Sequence, residues 1–101
     1  MKRDFDWDEE KADSNVRKHG ITFKLAAKAF TDDRALIEFD DYHGREDRWH
    51  TIGKVDGELL LLVVHTGWVD GDVEVIRIIS ARHADRKERL RYEENLRQIY
   101  N

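Results

Sequence analysis

Cationic and imidazole side chains alternate along the predicted strands in the second half of the chain. If Asp56-Gly57 forms a two-residue hairpin turn, Arg48 lies opposite His65 on the neighbouring strand. Because side chains alternate between the two faces of a sheet, this pairing places five such residues on one face. They are Arg48, His50, Lys54, His65 and Arg82. Such a group can clamp a phosphodiester, stabilise developing negative charge and move a proton.

A lone arginine interrupts an apolar strand further along the chain. The segment from Val73 to Ser80 is dense in β-branched residues, with apolar side chains at both parities, as in a strand covered on both faces. Arg77 stands inside it, and a guanidinium there must be paired or must open onto a cleft that receives an anion. The predicted pairing puts Arg77 on the face opposite Arg82, and a one-residue slip at the Asp70-Gly71 turn would move both across.

The charge of the chain reverses around this strand. The formal net charge is −4, but residues 77–91 hold six Arg/Lys against two acids. Such a stretch can contact phosphates, although its cations can also form a solvated helix face supported by nearby glutamates. Direct DNA binding by the C-terminal helix is disfavoured, because Glu88, Glu93 and Glu94 interrupt the basic stretch.

Composition indicates one small cytoplasmic domain. The chain has 101 residues and no cysteine, and its longest apolar run, Leu59 to Val64, is only six residues long. We therefore expect neither a disulfide framework nor a membrane segment. His43, His50 and His65 lack the paired spacing of a zinc site, so no metal or other cofactor is predicted.

The first third of the chain predicts a short strand followed by two helices. Phe5 to Trp7 alternates as an edge strand does. Asp8 is placed to cap a helix that ends with basic residues and Gly20. Thr22 can cap a second helix that runs from Phe23 to Phe30.

The rest of the chain predicts a meander of strands and a final helix. The strands are Ala35 to Phe39, Arg48 to Val55, Glu58 to Thr66 and the strand that begins at Val73. Asp85, with Glu88 three residues later, forms a capping-box pattern at the start of the helix. The predicted fold class is α+β, with an N-terminal helix pair, an antiparallel meander of about four strands and a C-terminal helix.

Three blocks of sequence together resemble the BrnT toxins of bacterial type II toxin–antitoxin pairs. The blocks are FDWDEEKADSNVRKHGITFKLAAKAF, RWHTIGKVDG and IRIISARHADRKERLRYEE, in the family's order and with similar spacing. The resemblance implies a fold similar to the RelE-type ribonuclease toxins and metal-independent RNA cleavage that arrests translation. It also implies a BrnA-type ribbon-helix-helix antitoxin that masks the toxin and represses the operon, so that DNA is bound only through the antitoxin.

The family's motif positions extend over all three blocks. In this sequence they fall on Trp7, Lys11, Asn15, Lys18, His19, Gly20, Arg48, Trp49, Gly53, Arg77, Ser80, Ala81, Arg82, Glu88, Arg89 and Tyr92. Family members commonly carry an arginine after the threonine that ends the fourth strand, whereas here Thr66 is followed by Gly67. Loss of that cation would remove about 1–3 kcal/mol of anion stabilisation.

The residues and the resemblance together predict an RNA-cleaving site. Arg48, Arg77 and Arg82 are predicted to hold the scissile phosphate, and His50 or His65 to move a proton. Further RNA contacts are predicted at Lys18, His19, Lys54, Arg86, Arg89 and Tyr92. The antitoxin is expected to cover the basic surface of the central strand and C-terminal helix. The alternative is a partner module with little or no catalysis, which the acidic total and the missing arginine favour.

Overall fold

The described part of the chain forms three helices and one five-stranded sheet. The computed structural model describes residues 2–40 and 47–100, with side chains through Gln98. The strands are β1 (Lys2–Asp6), β2 (Leu36–Asp40), β3 (Arg48–Val55), β4 (Leu59–Asp70) and β5 (Val73–His83). The helices are α1 (Glu9–His19), α2 (Phe23–Ala27), which continues into a 3-10 turn (Lys28–Thr31), and α3 (Arg86–Tyr100). No helix in the described ranges is long and apolar enough to cross a membrane.

The sheet is mixed rather than a four-stranded antiparallel meander. Its strand order is β1-β5-β4-β3-β2, and β1 pairs in parallel with β5, with Phe5 opposite Ile76. The predicted class α+β is confirmed, but the predicted strand count and the all-antiparallel pairing are wrong. Strand β1 pairs with the outer edge of the first half of β5. Pairing each strand only with its neighbours along the chain does not predict this contact.

Local capping signals set both ends of α1 and the start of α2 as predicted. The Asp8 carboxylate accepts a hydrogen bond from the Lys11 N–H, and Gly20 ends α1 with a φ of 70°. Thr22 accepts from the Leu25 N–H at the start of α2. The second helix is shorter than predicted, because its last turn tightens to 3-10 geometry after Ala27.

The hairpin between β3 and β4 is longer by one residue than predicted. The turn spans Asp56 to Glu58, so Val55 pairs with Leu59. This shift places Trp49, not Arg48, opposite His65. The prediction that Arg48 lies beside His65 on one face is therefore wrong, because the two side chains point to opposite faces.

A bulge in β5 brings its two arginines to the same face. The β4–β5 pairing shifts between Val64 and His65, with Val64 opposite Ser80 and His65 opposite Ile78. Ile79 is thus an extra residue, and the alternation of side chains changes phase there. As a result, Arg77 and Arg82 lie on the face that carries Arg48 and His50, which we call the front face.

The helices bury both faces of the sheet. On the other face, the back face, α1, α2 and the 3-10 turn enclose the larger core. There, a Cβ added at Gly53 would lie 2.4 Å from the Ala29 carbonyl oxygen, so glycine permits this close approach. On the front face, α3 packs Tyr92 against Ile52, Leu60 and Leu62.

The buried side chain of Asn15 completes the edge of β5. Pairing with β1 ends at Arg77. Beyond it, the Asn15 carboxamide accepts from the Ala81 N–H at 3.0 Å and donates to the Ala81 carbonyl at 2.8 Å. It also donates to the Ile21 carbonyl at 2.8 Å. One amide side chain therefore substitutes for a neighbouring strand and ties α1 to the sheet.

His65 is a buried residue of the back face. It is 7% exposed, its Nε2 lies 2.8 Å from Thr51 Oγ1, and its ring meets Phe30 edge-on at 4.8 Å between centroids. Burial, and secondly the charge of His50, lower the pKa of His65 from its usual 6.5 to about 4. The imidazole is therefore neutral near pH 7.

Replacing Asn15 should weaken the whole fold. Asn15→Ala leaves the Ala81 and Ile21 backbone groups buried without their partner, and we expect it to lower the free energy of unfolding by about 3 kcal/mol. Urea unfolding measures this loss. The matched control is Asp13→Ala on the exposed side of the same helix, which should change stability by about 0.5 kcal/mol or less. Equal effects of the two variants would contradict the role of Asn15.

Burial of His65 should make stability fall in mild acid. Because the pKa is lower in the folded chain, the unfolded chain binds the additional proton. The contribution of His65 to the free energy of unfolding is therefore complete above the usual pKa of 6.5 and is lost as the pH falls towards 4. The shift corresponds to about 3 kcal/mol. Between pH 4 and 7, the free energy of unfolding should depend less on pH in His65→Gln than in the parent chain. In the exposed control His83→Gln it should depend on pH as in the parent chain. The same slope in His65→Gln as in the parent chain would disprove this account.

Candidate functional site

Arg77 lies at the junction of β1, β4 and β5 on the front face. Its position in the register is opposite Thr66 on β4 and beside Asp6 on β1. The guanidinium donates to Asp6 Oδ2 at 2.8 Å, and both side chains are nearly half exposed. An ion pair of such exposure is worth about 1 kcal/mol or less, so Asp6 can release Arg77 to an incoming anion at small cost.

Arg48 and His50 lie on the same face, on the other side of β4. His50 Nε2 is 3.1 Å from Asp40 Oδ2, and both side chains are largely covered. Arg48 is opposite Asp40 on β2, and continuing the β3–β4 register by one residue places it beside Thr66. Arg48 and Arg77 therefore flank Thr66, about 10 Å apart at the backbone, since neighbouring strands are about 4.8 Å apart.

Arg82 is held by the first turn of α3. Both of its terminal nitrogens donate to the Glu88 carboxylate at 2.8 Å. Glu88 also accepts from the Asp85 N–H while Asp85 accepts from the Glu88 N–H, which is the predicted capping box. The bidentate bond to Glu88 raises the pKa of Arg82. The guanidinium thus binds α3 to the end of β5.

A polar groove lies between α1 and the free edge of β5. Its volume is about 390 Å³, and it is lined by Lys11, Lys18, His19 and Ser80 together with Asp8 and Glu10. We call it the α1–β5 groove. Asn15 also lines it, so the residue that fastens the helix to the strand lies between the cations. The structure thus brings Lys18 and His19, predicted as RNA contacts, into one site with Ser80, three residues beyond Arg77.

The cations of this groove are available to a ligand. Among residues 2–40 and 47–98, neither Lys11 nor Lys18 has an ion-pair partner. The sequence analysis did not select Lys11 and Ser80 as site residues. The helical spacing contains the signal for Lys11, because residues four and seven apart, as in Lys11, Asn15 and Lys18, lie on one side of a helix. Ser80 is one of the motif positions that the family resemblance implies, but its place on the edge of the groove depends on the bulge and is not apparent from alternation.

The remaining predicted contacts lie apart from the groove. Lys54 is exposed on the front face, and Arg86 and Arg89 are exposed on α3. His65 faces the opposite side of the sheet from His50, so the two do not form one proton-transfer site. His43 lies outside the described residues.

Tyr92 is a core residue, in contrast to its predicted stacking on RNA. The ring is 4% exposed, and its hydroxyl donates to Asp32 Oδ2 at 2.7 Å. Burial raises the pKa of Asp32, but hydrogen bonds from the Lys54 N–H, the Tyr92 hydroxyl and the Arg34 N–H outweigh it and lower the pKa overall. Asp32 thereby joins α3 to β3, and Tyr92 is unavailable for stacking.

The backbone at Gly67, the residue after Thr66, approaches β5 closely. A Cβ added there would lie 2.8 Å from the Val75 carbonyl oxygen, so a larger residue requires the β4–β5 strands to shift.

Comparisons with known proteins agree on one family. A protein-family model described as "Ribonuclease toxin, BrnT, of type II toxin-antitoxin system" matches residues 7–88. Among solved structures, the chain is similar to the ribonuclease toxin BrnT of Brucella abortus, solved at 1.1 Å resolution. The identity is 24% and the TM-score 0.62, over 85% of this chain and 100% of that one. No curated protein matches the chain.

The family model covers most of the chain and includes the α1–β5 groove, Arg48, Arg77 and the capping box of α3. The solved structure supports the same fold independently of close sequence identity. A type II toxin has an antitoxin as its partner. This chain belongs to the BrnT family of ribonuclease toxins of type II toxin–antitoxin systems.

Proposed function

We propose that this chain is a metal-independent endoribonuclease whose scissile phosphate binds between the α1–β5 groove and Arg77. The observation that carries the proposal is the convergence of Lys11, Lys18 and His19 on the strand edge that bears Ser80. Phosphate contact depends on local cations rather than on total charge, so the formal charge of −4 does not oppose it.

The chemistry requires little from the protein. The ribose 2′-hydroxyl attacks the adjacent phosphorus, the bond to the 5′ oxygen breaks, and a cyclic phosphate forms. A base must take the proton of the 2′-hydroxyl, and an acid must protonate the leaving oxygen. Lys11, Lys18 and Arg77 would stabilise the extra negative charge on the phosphorane-like transition state. Because the substrate carries its own nucleophile, no metal-bound water is needed.

His19 is the proton carrier that the groove provides, since imidazole transfers protons readily near neutral pH. His50, held by Asp40 as an oriented imidazole, is the second candidate and would act with Arg48 on the front face. Lys54, Arg86 and Arg89 would contact flanking phosphates and add salt-dependent affinity.

Cleavage of cellular RNA would arrest translation until an antitoxin binds. We propose a BrnA-type ribbon-helix-helix antitoxin, so that this chain would meet operator DNA only through its partner. A second function, a partner module without catalysis, is favoured by one observation. Arg77, Arg82 and Arg91 each have an acidic partner within the chain. Induced expression without the antitoxin separates the two, since only the nuclease arrests growth with loss of RNA.

Groove variants should lower RNA cleavage through different steps. Lys18→Ala should raise KM and reduce the salt dependence of binding, lowering kcat/KM about tenfold, because it removes one phosphate contact. His19→Ala should lower kcat about a hundredfold, because it removes proton transfer. Single-turnover cleavage of a labelled RNA, with excess EDTA present throughout, measures both.

The control is Lys24→Ala, an exposed lysine of α2 that lies outside the groove. It should cleave like the parent chain. Loss of parent activity in EDTA would contradict metal independence. Equal losses in Lys18→Ala and Lys24→Ala would contradict the groove as the RNA site.

Arg82 should act as a positioning residue rather than contact the phosphate. Arg82→Ala removes both guanidinium bonds to the largely buried Glu88 and should lower the free energy of unfolding by about 1–2 kcal/mol. Arg77→Ala, which removes an exposed pair, should cost about 1 kcal/mol or less but should lower cleavage more. Urea unfolding and kcat/KM are measured on both variants. Greater loss of cleavage in Arg82→Ala, with unchanged stability, would return Arg82 to the phosphate site.

A further inference from the structure

Exposed apolar side chains concentrate at one end of the sheet, far along β4 from the hairpin turn. Seven large apolar side chains are exposed among the described residues, and five of them lie here. They are Ile37, Phe39, Trp49, Trp68 and Val69, which we call the apolar end. The Phe39 and Trp49 rings are in edge-on contact at 4.9 Å between centroids. Such a concentration on a small domain marks a surface that binds another molecule.

A cavity of about 340 Å³ opens within the apolar end. Phe30, Ile37, Trp49 and Val69 line it, and the neutral ring of His65 lies at its base. A cavity of this size accepts one large aromatic or aliphatic side chain. Binding energy at protein interfaces concentrates where such an anchor fills a pocket surrounded by aromatic residues.

The charges around this cavity disfavour RNA. Arg3 is the one cation among its described lining residues, and it donates to Glu74 Oε1 at 2.9 Å and to the Phe30 carbonyl at 3.1 Å. The adjacent β4–β5 turn exposes Asp70 and Asp72. A phosphate backbone would meet a neutralised arginine and two carboxylates there, whereas a protein segment with basic residues beside an apolar anchor would be complementary.

We propose that the apolar end is the docking surface for the antitoxin. The bound segment inserts an aromatic or long aliphatic side chain into the cavity and places Lys or Arg next to Asp70 and Asp72. This inference rests on the proposed function for its partner, because a type II toxin has an antitoxin to bind. It differs from the sequence-based expectation of a basic interface, since Arg77 and Arg82 of β5 and Arg91 of α3 already have acidic partners.

The test uses the cognate antitoxin, purified and titrated into this chain by calorimetry. Ile37→Asp and Val69→Asp place a carboxylate at the rim of the cavity and should raise Kd about tenfold or more. Leu90→Asp is the matched control, because Leu90 is also an exposed large apolar residue and lies on α3. It should bind the antitoxin like the parent chain. Thermal unfolding confirms that each variant is folded.

A second pair of variants tests the charge of the partner without touching the apolar contacts. Asp70→Lys and Asp72→Lys should weaken antitoxin binding at low salt, and the difference should shrink at high salt. RNA cleavage by all four variants should equal that of the parent chain. Failure of the proposed nuclease would appear separately, as absence of cleavage in the parent chain with antitoxin binding intact.

Three outcomes would overturn the docking surface. One is unchanged antitoxin affinity in Ile37→Asp and Val69→Asp, or an equal loss in Leu90→Asp. Another is a raised KM for RNA in those variants with normal antitoxin binding, which would make the cavity a nucleobase site. The third is a change in the self-association of the toxin alone, with normal antitoxin binding, which would make it an interface between two copies of this chain.

Discussion

The carboxamide of Asn15 is the contact on which both the fold and the candidate site depend. Past Arg77 no strand pairs with the outer edge of β5 among the described residues, and unpaired backbone groups buried there would be costly. Asn15 satisfies the N–H and the carbonyl of Ala81 with one side chain and so fixes the position of α1. Lys11 and Lys18 occupy the same side of that helix, which places them in the groove beside the strand.

The cations of the candidate site differ in their partners, because the groove lysines Lys11 and Lys18 have no ion-pair partner among the described residues. Arg77, Arg82 and Arg91 have acidic partners, which limits the electrostatic cost of concentrating positive charge within a small domain. The pairs differ in burial. Arg77 has an exposed partner and can exchange it for a phosphate, whereas Arg82 is held by a carboxylate that is only 9% exposed and also caps a helix. The same residue type therefore has two roles on one strand.

Local signals in the sequence predicted the capped helix starts, the end of α1 and the span of β3, because caps and alternation depend on residues within a few positions of each other. The pairing register was not predictable in the same way. One additional residue in the 56–58 turn moved His65 to the back face, and the bulge at Ile79 brought Arg77 to the front. The parallel pairing of β1 connects segments about seventy residues apart, for which the sequence contains no local signal.

The proposed site draws on residues that the sequence had indicated, but its geometry was not apparent from the sequence. Lys18, His19 and Arg77 were identified as cations for RNA, but their placement depended on the carboxamide of Asn15 and on the bulge. For Tyr92 and Arg82 the structure adds what the sequence does not show: their polar groups have partners, Asp32 and Glu88. A polar side chain within a basic stretch of sequence can stabilise the fold instead of binding a ligand.

The central claim is that RNA lies in the α1–β5 groove. It is tested most directly by titrating isotope-labelled toxin with a short RNA whose 2′-hydroxyls are methylated, so that it binds without being cut, and following amide shifts by NMR. The account predicts the largest changes at Lys11, Lys18, His19 and Ser80, with smaller ones at Arg77. Changes confined to Trp49, Trp68 and Val69, or to the exposed side of α3, would contradict it.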